Sequence, residues 1–122
     1  MPVKHTDMLL VFGLSNCDSC KKARAWLNEH GVEYEFRDVR KEGVDSERLK
    51  RWLSSSLAAL LTNRRSTTWR SLTANEKILS ETDPIAVLSK HPSLIKRPVL
   101  ERHGRVLVVG FSPEEYCKHL LS

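Results

Sequence analysis

Two cysteines separated by two residues, Cys17-Asp18-Ser19-Cys20, are the side chains whose type and spacing can do chemistry. The thiolate, not the thiol, is the nucleophile. A cysteine at a helix N-terminus faces free backbone N–H groups and the positive end of the macrodipole, and both favour the anion. Cys20 lies about one turn further on the same face. It can attack a disulfide formed at Cys17 and release the product. The spacing therefore makes Cys17 the candidate nucleophile and Cys20 the candidate resolving thiol. Lys21, Lys22 and Arg24 follow directly and are expected to help hold Cys17 as thiolate, with Asp18 opposing them.

Other readings of the pair stay open at this point. A zinc site needs about four ligands. The chain has no second Cys-x-x-Cys and no nearby His pair, so no metal is expected. Two inert buried thiols are the other alternative. The third cysteine, Cys117, reads as a small buried residue of the last helix. Three cysteines do not make the framework of a secreted mini-protein. A close pair in a reducing compartment is redox-active or metal-binding.

Elements must place Cys17 at a strand–helix junction, and the pattern supplies them. Met8 to Phe12 is a short continuous apolar run, the mark of a buried strand. Gly13 to Asn16 breaks it. Cys20, Ala23, Trp26, Leu27 and His30 then recur at helical spacing, and Gly31 is a stop signal. Val32, Tyr34 and Phe36 alternate with charged residues as a half-buried strand does. The first forty residues thus read as a right-handed βαβ unit.

The middle reads as helical. Asp45 or Ser46 caps a segment carrying Leu49, Trp52 and Leu53, and a second apolar cluster spans Leu57 to Leu61. Thr73 to Glu76 has capping-box spacing before Ile78 and Leu79. Asp83-Pro84 opens a helix through Leu88 that Pro92 closes. Strands return at Val99-Leu100 and at Val106 to Val109, joined by a tight turn at His103-Gly104. Ser112-Pro113-Glu114-Glu115 starts the last helix, with Tyr116, Leu120 and Leu121. Trp26 and Trp52 read as core. The order β-α-β, helical insertion, β-β-α is an α/β arrangement of thioredoxin topology. It predicts a single domain over 1–122 with the insertion at about 45–91.

Composition bounds the partners. The 122 residues include 40% hydrophobic and 29% charged residues, ordinary for one soluble domain. The net charge of +5 suits anionic partners but is equally well a matter of solubility. No run is long enough to span a membrane, and no leader with a cleavage site is evident. A cytoplasmic protein with no direct nucleic-acid partner and no membrane partner is expected.

The stretch Leu14-Ser15-Asn16-Cys17-Asp18-Ser19-Cys20-Lys21-Lys22-Ala23-Arg24-Ala25-Trp26-Leu27 resembles the active-site segment of the arsenate reductase (ArsC), Spx and YffB-like family. The likeness continues in Tyr34 to Arg40, in Asn63 to Arg70, in Ile95-Lys96-Arg97-Pro98-Val99-Leu100 and in Gly110-Phe111-Ser112. Thr67-Thr68-Trp69-Arg70 looks most like the YffB-like branch. The resemblance implies a thioredoxin-like fold and a thiol–disulfide reductase with no bound cofactor that works with glutathione on a small disulfide. It also implies that Pro98 is a cis-proline facing Cys17 and that Arg97 binds an anionic group such as a glutathione carboxylate, with Arg65 and Asn16 as candidate helpers; Arg64, Arg65 and Arg70 read equally well as a solvated basic face. Arsenate reductases of the family hold the oxyanion with several arginines. Arg97 matches one, but Thr62-Asn63 and Phe111 stand where others are expected, which counts against arsenate. The rival implied by the resemblance is an Spx-like redox-sensing regulator that binds the RNA polymerase α subunit. Such regulators run on into a charged tail, whereas Ser122 directly follows the last helix here, which favours the enzyme.

Overall fold

The computed structural model describes residues 8–121; residues 1–7 and Ser122, the ends of the expected 1–122 domain, lie outside it. Strand β1 (Leu9–Gly13) leads into helix α1 (Asp18–Glu29) and then strand β2 (Tyr34–Asp38). α1 ends where Gly31 takes φ +65°. Gly31 N–H there bonds Asn28 O, and Val32 N–H bonds Leu27 O. This paired arrangement satisfies carbonyls that the helix end would otherwise strand. It turns the chain back so that β2 lies parallel to β1, with Val11 opposite Phe36.

Strands β3 (Val99–Arg102) and β4 (Arg105–Val109) form the other half, with helix α7 (Pro113–Leu120) after them. The sheet order is β2-β1-β3-β4, with β3 antiparallel to both β1 and β4. The hairpin turn places His103 at φ +55° and Gly104 at φ +74°, the mirror-image turn that matches strand twist. This is the thioredoxin-like α/β fold.

Between the halves run α2 (Val39–Glu42), α3 (Ser46–Leu53), a 3-10 turn at Ala58–Leu60, α4 (Thr67–Ser71), α5 (Ala74–Thr82), α6 (Pro84–Lys90) and a 3-10 turn at Pro92–Leu94. Asp45 caps α3, Thr73 and Glu76 form a reciprocal capping box on α5, and Asp83 caps α6 ahead of Pro84. The sheet has a core on each face. One packs Leu9, Val11, Ala23, Trp26, Leu27, Leu100, Val108 and Tyr116 under α1 and α7. The other packs Phe12, Leu14, Leu49, Trp52, Leu61, Leu88, Ile95 and Val99 under the insertion.

One polar group crosses that second core. Glu101, 2% exposed, accepts a 2.7 Å bond from Trp52 Nε1 and lies 3.4 Å from Arg48 Nε and 3.7 Å from Arg51 Nη2. A lone buried carboxylate would be costly, so these partners are what permit it. They tie α3 to β3.

The structure corrects the reading of Cys117, which is exposed rather than buried. The buried face of α7 is set by Tyr116, and the next residue lies about 100° around the helix and faces solvent. Short elements also went unread. Asp38 accepts from Arg40 and Lys41 N–H and starts α2, and Ser66 accepts from Trp69 N–H and starts α4.

Candidate functional site

Cys17 stands at the N-cap of α1 with extended backbone (φ −94°, ψ 127°), and its carbonyl already accepts from Lys21 N–H. Gly13 ends β1, Leu14 is buried, and Ser15 and Asn16 turn outward, exposed, before the half-buried Cys17. Ser15 N–H and the amides of Arg40 and Lys41 converge on the Asp38 carboxylate. Burial pushes that carboxyl up, but these N–H groups and the Lys41 charge outweigh it and leave it below its ordinary value. The turn that carries Cys17 is thus fastened to the end of β2.

The two thiols are held apart in character by their surroundings. Burial raises Cys17, but the Cys20 N–H, the Cys20 thiol, a hydrogen bond from Arg97 and the Arg97 charge together bring it below the ordinary thiol value. Cys20 is fully buried, and burial pushes it up to about 12, helped by the neighbouring Cys17; a Leu14 N–H and Arg97 oppose this. The Cys20 sulfur sits against the end of β1, where a Cβ on Gly13 would lie 2.5 Å from it.

Arg97 is therefore the cation that acts on Cys17. The expectation that Lys21, Lys22 and Arg24 do so fails for a geometric reason. Lys21 and Lys22 are exposed, while Arg24 lies over the Phe36 ring and donates to Tyr34 Oη on the β2 side. Nη1 of Arg97 donates to the carbonyls of Ser93 and Ile95, which fixes the guanidinium. Its Nε is buried with no hydrogen-bond partner among the described residues. The Arg97–Pro98 peptide bond is cis and Pro98 is buried. Sequence reasoning could have found the Arg97 contact only by assuming the fold, because 80 residues separate it from Cys17.

Arg65 stands elsewhere. It is exposed and lines a hollow with Ala59, Leu60, Thr62, Asn63, Arg64 and Lys96, and the groups acting on Cys17 do not include it. Thr62 bridges Ile95 by backbone, and Phe111 packs edge-on against Tyr116 at 5.5 Å. His30 stacks on Trp26 at 3.8 Å at the end of α1. Among the described residues no three His, Cys, Asp or Glu side chains form a group able to hold a metal. Among them, too, no helix is long and apolar enough to cross a membrane.

A thiolate-forming cysteine at a helix N-cap, a buried partner thiol one turn on and an arginine before a cis-proline define a thioredoxin-like protein of the arsenate reductase type. The sequence matches the ArsC family over residues 12–119, and the chain belongs to that family. It is 42% identical to a solved protein named YFFB (PA3664), with a TM-score of 0.85 over 93% of this chain and 99% of that one. An ArsC-related protein of Brucella melitensis is 40% identical, with a TM-score of 0.71 over 92% of this chain and 93% of the other. Global transcriptional regulator Spx 2 of Bacillus cereus is 30% identical over 93% of this chain and 87% of its own length.

Proposed function

We propose that the protein is a thiol–disulfide reductase that draws its electrons from glutathione. The observation that carries this is the opposed state of the two thiols: Cys17 lowered beside Arg97, Cys20 buried and pushed up to about 12. A low-pKa, accessible thiolate attacks, and a protonated buried thiol waits. The Cys17 thiolate attacks a disulfide R–S–S–R′, forms Cys17–S–S–R and expels R′S⁻. Cys17 then carries no charge, which removes the part of the Cys20 rise that comes from its neighbour. Cys20 passes its proton to a departing thiolate or water, attacks Cys17 Sγ, and releases RS⁻. Two glutathione molecules reduce the Cys17–Cys20 disulfide and leave as glutathione disulfide. Arg97, with Asn16 as a further candidate, holds a carboxylate of the incoming thiol.

Turnover with glutathione and with a thioredoxin-type reductant, against disulfide and oxyanion substrates, tests this. Cys17→Ser is expected to abolish activity. Cys20→Ser is expected to form the glutathione mixed disulfide and release it slowly. Intact activity in Cys17→Ser would end the reading. Thr62 and Phe111 leave an oxyanion with Arg97 as its arginine at this site, so negligible arsenate turnover is expected. Robust arsenate turnover that is lost in Arg97→Ala would reverse that expectation.

A second reading has its own support, the 30% identity to a named Spx regulator. Under it the Cys pair is a redox switch on a protein that contacts the RNA polymerase α subunit in the cytoplasm. Retention of the α subunit on the immobilised full chain, changing with oxidation, would favour it; no retention in either state would remove it.

A further inference from the structure

From Arg48 to Asn75 the chain has no acidic residue but six cations, Arg48, Lys50, Arg51, Arg64, Arg65 and Arg70. Two of these, Arg64 and Arg65, come together with Lys96 around an open hollow of about 570 Å³. Among the described residues none that lines it is Asp or Glu, whereas hollows elsewhere carry Glu33, Glu101 or Glu115.

The loop that presents these cations is fastened. Asn63 Oδ1 accepts from Arg65 N–H, and the Asn63 carbonyl accepts from both Ser66 N–H and its hydroxyl. Across the hollow, Lys96 N–H bonds Leu61 O at 2.7 Å and Asn63 N–H bonds Leu94 O at 2.9 Å. Lys96 immediately precedes Arg97, the residue bonded to Cys17, and consecutive Cα atoms lie about 3.8 Å apart. The hollow therefore lies one residue along the chain from the arginine that acts on Cys17. Its lining also offers apolar contact, since Leu60 is 45% exposed.

We infer that this hollow docks an acidic segment of a polypeptide whose disulfide is attacked by Cys17. The inference rests on the thiol-exchange reading above and names its substrate class. A segment with two or three carboxylates and one apolar side chain matches three cations spread around an open hollow with Leu60 at its edge. Exposed charges of this kind act mainly by steering and orienting the encounter, so the effect falls with salt.

The test uses the full chain with Cys20→Ser, which stops the reaction at the first step, and Cys117→Ser, which removes the exposed thiol. Each substrate is a peptide thiol in mixed disulfide with the coloured thiol 5-thio-2-nitrobenzoate. The Cys17 thiolate forms Cys17–S–S–peptide and expels the coloured thiolate, one per bond exchanged. Peptides of equal length with acidic, neutral and basic flanks are compared, together with a small neutral thiol in the same mixed disulfide.

The acidic peptide is expected to react roughly tenfold faster than the basic one in about 20 mM salt, the ratio falling toward one in about 0.5 M salt. Arg65→Glu with Lys96→Glu is expected to invert the ratio. Lys21→Glu with Lys22→Glu, which reverses exposed charges outside the hollow, is expected to leave it near the parent value. A parent ratio near one overturns the inference. So does an equal response to the two pairs of reversals, because general electrostatics then suffices. If the small neutral disulfide also fails to react at Cys17, the thiol-exchange reading itself falls. If it reacts while the ratio stays near one, only the docking inference falls.

Discussion

Gly13→Ala puts a methyl group where the Cys20 sulfur now sits. The new Cβ would lie 2.5 Å from that sulfur, whereas ordinary non-bonded contact needs about 3.5–4.0 Å. The sulfur must retreat by about 1 Å, most easily by turning about its own Cα–Cβ bond. In its present position it receives the Leu14 N–H and donates to Cys17. Retreat removes the second bond and so withdraws support from the Cys17 thiolate. A hydrogen bond to a charged group is worth about 1.5–3 kcal/mol, and the half-buried position calls for the lower end. That corresponds to about one pH unit. The pH midpoint of Cys17 alkylation is expected to rise by that amount in a Cys117→Ser background. Oxidant-driven closure of the Cys17–Cys20 disulfide is expected to slow by on the order of tenfold to a hundredfold. The same change in a Cys20→Ala background meets no sulfur. The Cys20 Cβ itself lies at an ordinary 3.5 Å, so the Cys17 midpoint should not move there. Equal shifts in the two backgrounds, or no shift in either, would refute the argument that Gly13 acts through the Cys20 sulfur.

Other outcomes follow from the same structure. Arg97→Ala removes the cation and a donor from Cys17, so its alkylation midpoint should move upward; an unmoved midpoint would mean that the helix terminus alone governs the thiol. Glu101→Ala strands Trp52 Nε1 and leaves Arg48 without its buried partner; a loss of about 3 kcal/mol, on the order of 10 °C in Tm, is expected, and a loss under about 0.5 kcal/mol would show that the carboxylate anchors nothing. The Glu76 carboxyl is lowered to about 2, chiefly by its hydrogen bond to His91 and then by Thr73 N–H. Its folded pKa lies below the unfolded one, so its contribution is present above about pH 4.3 and fades as pH falls toward 2. Thermal melts of wild type and Glu76→Gln should therefore converge across that window, and parallel curves would exclude the linkage.

Much of this arrangement could be read before the fold was known. The apolar run of β1, the helical spacing through Trp26 and Leu27, and the stop at Gly31 state the βαβ unit locally. The thioredoxin-like order follows from these with the return of strands after Pro98, and the family likeness rests on the residues around Cys17 and Pro98. What could not be read depends on contacts distant along the chain. Arg97 rather than Lys21 or Lys22 acts on Cys17 because cross-sheet packing, not sequence proximity, sets the distance. Cys117 was misread because one apolar-compatible residue beside Tyr116 does not reveal which side of a short helix faces in. Short elements such as α2 and α4 are fixed by a single Asp or Ser cap, a signal too brief to stand out from loop chemistry. Glu101 is charged, and it is buried because Trp52 and two arginines from α3 reach it.

The placement of β1 between β2 and β3 has a consequence for synthesis on the ribosome. β1 is nearly all apolar and pairs on one flank with β2, which follows within thirty residues. Its other flank waits for Val99 and Leu100, almost ninety residues later, and β3 is itself completed only when β4 has emerged. Throughout that interval the growing chain carries a hydrophobic strand with an open hydrogen-bonding edge, the kind of template to which other chains add. Pairings this far apart in sequence also form slowly. The insertion emerges in between, and with Leu61 and Trp52 it can cover one face of β1, but not that edge. Truncation anywhere before Val109 should therefore yield chains that aggregate rather than a smaller folded unit.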